Sequence, residues 1–251
     1  MFDVRSFGMT DIGRRRQQNE DAFLRNDEVR LFVVADGMGG HAAGEIASAE
    51  AVDTIYGMFK RGLPALGSED EPLTDDTISA ARRLIEGAIQ AATYMIFAMG
   101  EADSGRSGMG TTISAAFIFK NVLVTGQVGD SRIYRVRGGR VLQLTEDHTL
   151  VGWQLKQGLI SEDEARLSPH RNVITRSVGG RDYVEVDTGV VEVRAGDRFL
   201  LCSDGLHGYL EEPEIPDLVA LGGNAAAQGF IDMANDRGGS DNITCILVEV
   251  D

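Results

Sequence analysis

Apolar residues along this 251-residue chain fall into two kinds of run, and the two kinds occupy separate stretches. Short runs rich in β-branched and aromatic residues predict strands over residues 31–36, 112–119, 122–128, 132–137, 141–144, 184–193, 198–203 and 243–250. Between the fourth and fifth of these, Gly138 and Gly139 supply a two-residue hairpin turn that accepts positive φ at both positions. Elsewhere the spacing becomes helical. Ile46, Ala49, Val52, Tyr56 and Phe59 form one apolar stripe, and Ile78, Ala81, Ile85, Ala88, Ala92, Met95 and Met99 a longer one. Met95 and Met99 read as core packing. The polar stretch RGLPALGSEDEPLTDD separates the two stripes, and further helices are expected over residues 150–157, 161–167 and 225–236.

Strands and helices come in blocks instead of alternating strictly. This predicts an α+β fold, a β-sandwich of two antiparallel sheets packed face to face and flanked by helices. With 43% hydrophobic residues and no internal repeat, the chain can bury a core as one large domain or two small ones. Its formal charge of −15 argues against nucleic acid and against an anionic membrane surface, both of which reward clustered Lys and Arg. The same surplus of acid also simply keeps a protein in solution. No apolar stretch approaches the roughly 18 residues of a membrane span and no signal peptide opens the chain, so a cytoplasmic protein is expected. Cys202 and Cys245 lie in apolar runs without a partner at zinc spacing and read as buried thiols. Asn242-Ile243-Thr244 has the form of a glycosylation sequon, idle without a secretion signal.

The segment VVADGMGGHAAGE, residues 33–45, admits two readings: a glycine-rich cradle for a pyrophosphate, or a turn presenting a carboxylate to a metal ion. Asp36 immediately before the first glycine is poor electrostatics for an anion site at a helix N-terminus. A P-loop fails because Glu45-Ile46 stands where Lys-Ser/Thr is needed. Asp130, Asp204 and Asp241 share the setting of Asp36, each at a strand end beside Gly or Ser. Singly, such aspartates are ordinary turn formers. Four together, with few histidines near, make the oxygen-rich donor set that Mg²⁺ or Mn²⁺ prefers.

Eight stretches in order, RRRQQNEDAF, VVADGMGGHAAGE, GMGTT, GQVGDSRIYRVRGG, LTEDHTL, NVITRSVGG, LLCSDGL and GGSDNIT, resemble the motif set of the metal-dependent serine/threonine protein phosphatases, the PPM or type 2C family, in its bacterial branch. The resemblance spans nearly the whole chain. It implies the family's four-layer α-β-β-α fold as one domain over residues 1–251, with a flap subdomain at about residues 147–170. It also implies a binuclear Mn²⁺ or Mg²⁺ centre in which Asp36 bridges both ions, the Gly37 carbonyl helps hold one, and Asp204 and Asp241 hold the other. Asp130 matches the carboxylate of a third, weaker ion. Glu20 and Asp21 resemble the acidic pair of the metal and water network, and Arg16 the phosphate-binding arginine. Arg14 and Arg15 read as surface charge.

Two ions about 3.5–4 Å apart activate water for in-line attack on phosphorus, so no protein nucleophile is required. None is evident: the chain lacks a Ser-His-Asp or Cys-His pattern and the C-x5-R loop of a cysteine phosphatase. Met38 stands where many relatives carry a histidine proposed as general acid, leaving His41 a weak candidate behind water itself. His148, His170 and His207 read as structural or rim residues, and Trp153 as packing for the flap. The expected substrates are phosphoserine and phosphothreonine proteins, and the expected counterpart is a Hanks-type kinase. The expected oligomeric state is, by default, a monomer. A catalytically weak phosphoprotein-binding domain of the same fold is the alternative.

Overall fold

The computed structural model describes residues 2–39, 43–68 and 70–251. Two sheets, antiparallel throughout, are stacked. The first runs β1 (Val4–Asp11), β11 (Ile243–Val250), β10 (Arg198–Cys202), β7 (Arg132–Arg137), β8 (Arg140–Gln143). The second runs β2 (Asp21–Asn26), β3 (Leu31–Met38), β5 (Ile113–Phe119), β6 (Val122–Val128), β9 (Asp187–Glu192), with the short β4 (Gly110–Thr111) paired to the end of β3.

Alternation along single strands explains the layering. On β3, Phe32 and Val34 join Ile118, Phe199, Leu201, Ile246 and Val248 between the sheets, while Leu31, Val33 and Ala35 face helices on the other side. Both faces are covered, so the run is apolar without interruption. Helices α1 (Ala43–Gly62) and α2 (Asp75–Ala102) cover the second sheet through Ala47, Ile55, Phe59, Ile85, Ile89 and Ile96. Helix α7 (Gly223–Asp236) covers the first through Ala227, Phe230 and Ala234 against Cys245 and Leu247. The expected sandwich between helical layers is thus present, and both cysteines are free, fully buried thiols.

Several local expectations need correction. The expected strands omitted β1 and β2, the two outer strands on that side of the sandwich. Asp11 in one, and Arg25 and Asn26 in the other, break the apolar pattern because an edge strand needs only one covered side, and Gly8 breaks it because a Cβ there would lie 2.7 Å from the Phe23 ring of β2. The strand expected over 184–193 is confined to β9, and that over 112–119 is β5, with the short β4 just before it unpredicted. Asp36 does not end its strand, since β3 continues to Met38. Short helices α5 (Asp204–His207) and α6 (Ile215–Ala220) also went unpredicted. Met95 is not core: the buried line along α2 passes through Ala92 and Ile96 and leaves Met95 46% exposed. Trp153 is not packed down either. It lies on α3 (Leu150–Lys156), capped by Thr149, and is 53% exposed. Helix α4 (Glu162–Leu167) follows with a capping box between Ser161 and Glu164. Gly138 and Gly139 make the expected turn, with φ of 55° and 73°.

Candidate metal and phosphate site

The pairing of β2 with β3 sets Asp21 directly opposite Asp36. Asp204, at the start of α5 just beyond β10, hydrogen-bonds to the Asp36 carboxyl. Asp130 and Asp241 lie close enough to raise the Asp36 pKa further by their charge. Burial first, and then these like charges, holds Asp36 well above the ordinary carboxylate range. Asp21 and Asp130 are each pushed up to about 7, again mainly by burial. The sandwich thus collects carboxylates from separate strand ends at a cost that a proton or a cation relieves. Among the described residues no group of three His, Cys, Asp or Glu side chains is arranged to hold a metal ion; Asp36 and Asp204 bond to each other and Asp241 to Arg16.

Backbone and side chains around the cluster fix its members. Asp36 N–H donates to Thr112 Oγ1 at 3.0 Å, and Thr112 N–H and Thr111 Oγ1 both donate to the Asp36 carbonyl, at 2.8 and 2.9 Å. Asp21 accepts from Ser203 Oγ at 2.8 Å and from the Thr244 hydroxyl. Glycine is required where chains nearly touch: a Cβ on Gly37 would lie 2.2 Å from the Gly44 carbonyl oxygen, and one on Gly205 1.9 Å from that of Asn242. In the first turn of α1, Gly44 N–H donates to the Glu20 carboxylate, a negative charge that counts against a pyrophosphate there. Burial is the main cause that raises the Glu20 pKa.

Arg16 is half exposed, and its Nη2 lies 2.6 Å from Asp241 Oδ2. Its guanidinium is also within the electrostatic reach of Glu20 and Asp36. The histidines divide as follows. His207 Nε2 sits 2.9 Å from the Asp130 carbonyl, and burial pushes its pKa down to about 3. His148 Nδ1 accepts from Gly129 N–H at 3.2 Å while its Nε2 meets Asp187 Oδ2 at 3.1 Å, so the ring is pinned as the Nε2–H tautomer. His170 is exposed, and His41 lies outside the described residues.

Asn242 escaped the sequence reading except as part of a sequon. Only 4% exposed, it is no glycan acceptor. Its Oδ1 accepts from Glu20 N–H at 2.8 Å, and its Nδ2 donates to the carbonyls of Ile12 at 3.0 Å and Gln18 at 2.9 Å. One side chain therefore ties the Asp241 loop to both ends of the arginine loop. Its place beside Asp241 in GGSDNIT was the only local signal.

The protein phosphatase 2C family profile matches residues 12–238. The serine/threonine phosphatase stp of Listeria welshimeri is 39% identical over 245 residues, covering 96% of this chain and 93% of that protein. Protein phosphatase PhpP of Streptococcus pneumoniae is 35% identical over 247 residues, covering 96% of each. Among solved structures, the Mycobacterium tuberculosis serine/threonine phosphatase PstP/Ppp superposes with a TM-score of 0.86 at 34% identity over 99% of both chains. The catalytic domain of PstP in complex with two manganese ions gives 0.84 at 33% identity over 100% of this chain and 99% of that one. The chain belongs to the protein phosphatase 2C family, in its bacterial branch, and is a metal-dependent protein phosphatase.

Proposed function

We propose that the chain hydrolyses phosphoserine and phosphothreonine on proteins at a binuclear Mn²⁺ or Mg²⁺ centre, opposing a Hanks-type kinase. One observation carries the reading: Asp21, Asp36, Asp204 and Asp241 meet at one place beside a single arginine, Arg16. The donor chemistry fits hard divalent ions, because both cysteines are buried among the residues under α7 and two histidines are committed to other partners. In this assignment Asp36 would be shared by both ions, the Gly37 carbonyl would help hold one, and Asp204 and Asp241 would hold the other. Asp130 serves a third, weaker ion. Bound there, divalent cations neutralise phosphoryl oxygens and lower the pKa of water.

The chain's own residues do the rest. Arg16 presents a planar fork suited to two phosphoryl oxygens, and its present partner Asp241 holds it at the cluster. Glu20 and Asp21 complete the acidic network that orders water, Asp21 steadied by Ser203 and Thr244. Neither His148 nor His207 acts as the acid at neutral pH: both are held neutral, mainly by burial, and already engaged. With Met38 at the position where many eukaryotic members of the family carry histidine, the leaving alkoxide takes its proton from water. We further assign residues 1–251 to one domain with a flap at about 147–170. The enzyme is taken as a cytoplasmic monomer; no described helix is long and apolar enough to cross a membrane.

The test is phosphate release from a phosphothreonine peptide with Mn²⁺, with EDTA, and for Asp36→Asn. Turnover that needs Mn²⁺ and vanishes in the variant is expected. No turnover from folded, monodisperse protein with Mn²⁺ or Mg²⁺ would leave a phosphoprotein-binding domain in its place.

A further inference from the structure

Arg14, Arg15 and Arg16 follow one another on the loop joining β1 to β2, yet only Arg16 has an ion-pair partner. Arg14 and Arg15 are exposed and, among the described residues, make no ion pair or side-chain hydrogen bond. The loop that carries them is nonetheless built. Asn242 Nδ2 holds Ile12 O and Gln18 O at its two ends. Within it, Gly13 N–H bonds to Asp11 Oδ1 at 2.8 Å and Arg14 N–H to Gly239 O at 2.7 Å. The stem of Arg14 lies against the same loop that carries Asp241, since a Cβ on Gly239 would come within 2.9 Å of Arg14 Cγ. Two unneutralised guanidinium groups therefore belong to the same anchored loop as Arg16, Arg14 with its stem against the loop that carries Asp241.

Their setting makes this informative. The protein carries a net charge of −15, with 39 acidic residues available to pair with cations, and its overall field repels acidic polypeptides. Only a local positive patch can favour an anionic substrate segment, and only close to the patch. Successive Cα atoms are about 3.8 Å apart, so Arg15 and Arg14 stand roughly one and two residue lengths from Arg16. We propose that Arg14 and Arg15 dock an anionic group, a carboxylate or a second phosphoryl, two or three residues from the phosphorylated one, so that the enzyme selects acidic phosphoprotein segments. The inference rests on the assignment of the substrate phosphate to Arg16.

A single phosphothreonine peptide with alanine, aspartate, lysine or a second phosphothreonine at the flanking positions is assayed at saturating Mn²⁺. The enzymes are wild type, R14A/R15A and R83A/R140A, the last removing the same charge from exposed arginines elsewhere. Wild type should show a KM lower by about two- to thirtyfold for acidic over alanine flanks with kcat unchanged, the range that two exposed ion pairs supply. The preference should shrink from about 0.05 to about 0.5 M salt. R14A/R15A should lose the preference and R83A/R140A keep it. The aspartate and diphosphorylated peptides tell which anion is favoured. Equal KM for acidic and alanine flanks, or equal loss in both double variants, overturns the docking site alone. Failure to turn over any peptide overturns the phosphatase assignment of the site and the docking site with it.

Discussion

Replacing Asn242 tests whether the arginine loop is positioned by one buried amide. Glu20 N–H needs an acceptor while Ile12 O and Gln18 O need donors, so only one orientation of the amide satisfies all three. Asn242→Ala deletes the three hydrogen bonds in a residue 4% exposed. At about 1 kcal/mol each, the loss is about 3 kcal/mol. For a domain of this size that lowers Tm by about 6–12 °C. Asn242→Asp keeps the acceptor but turns an oxygen toward two carbonyls, next to Asp241, and should cost at least as much. Thermal unfolding in EDTA, followed by circular dichroism and by the fluorescence of Trp153, measures the first effect. A KM for phosphopeptide that rises more than kcat falls, since Arg16 rides on the same loop, measures the second. A Tm within about 2 °C of wild type, or an Asn242→Asp protein as stable as the parent, would refute the reasoning.

Two further outcomes follow from the site. Asp21 and Asp130 are pushed up to about 7, with Asp36 and Asp204 also raised by burial and by neighbouring charge, so protons must leave before a cation binds. Apparent Mn²⁺ affinity, read by calorimetry, should rise between about pH 5.5 and 7.5 and level off above; a flat profile counts against the cluster. In EDTA the sign reverses for stability: these groups hold protons more tightly folded than unfolded, so their contribution is lost as pH rises from about 4 through 7. Gly205→Ala should cost at least about 3 kcal/mol in urea unfolding or prevent folding, because its methyl would meet the Asn242 carbonyl at 1.9 Å. Gly138→Ala, in open space at φ 55°, should cost only about 1–2 kcal/mol; similar losses at both positions would defeat this account.

Much of the fold was legible because the signals are local. Phe32, Val34 and their neighbours in continuous apolar runs announce strands covered on both faces, and the stripe from Ile78 to Met99 announces α2. Local pattern also placed Asp36, Asp130, Asp204 and Asp241 beside turn-forming residues at or near strand ends. It was silent on β1 and β2, whose apolar pattern Gly8, Asp11 and Arg25 interrupt, and it put Trp153 and Met95 inside when both face solvent.

By itself, then, the sequence determined the inner strands and the long helices, the donor types available to an ion, and the eight motifs that declare the family. The meeting of Asp21 with Asp36 through strand register, and of both with Asp204 and Asp241, belongs to the tertiary structure. So does the seating of Asn242 on Glu20, Ile12 and Gln18, across 222, 230 and 224 residues of chain. Hydrogen bonds and charge contacts depend on separation in space, and only packing the two sheets brings such distant positions within a few ångströms.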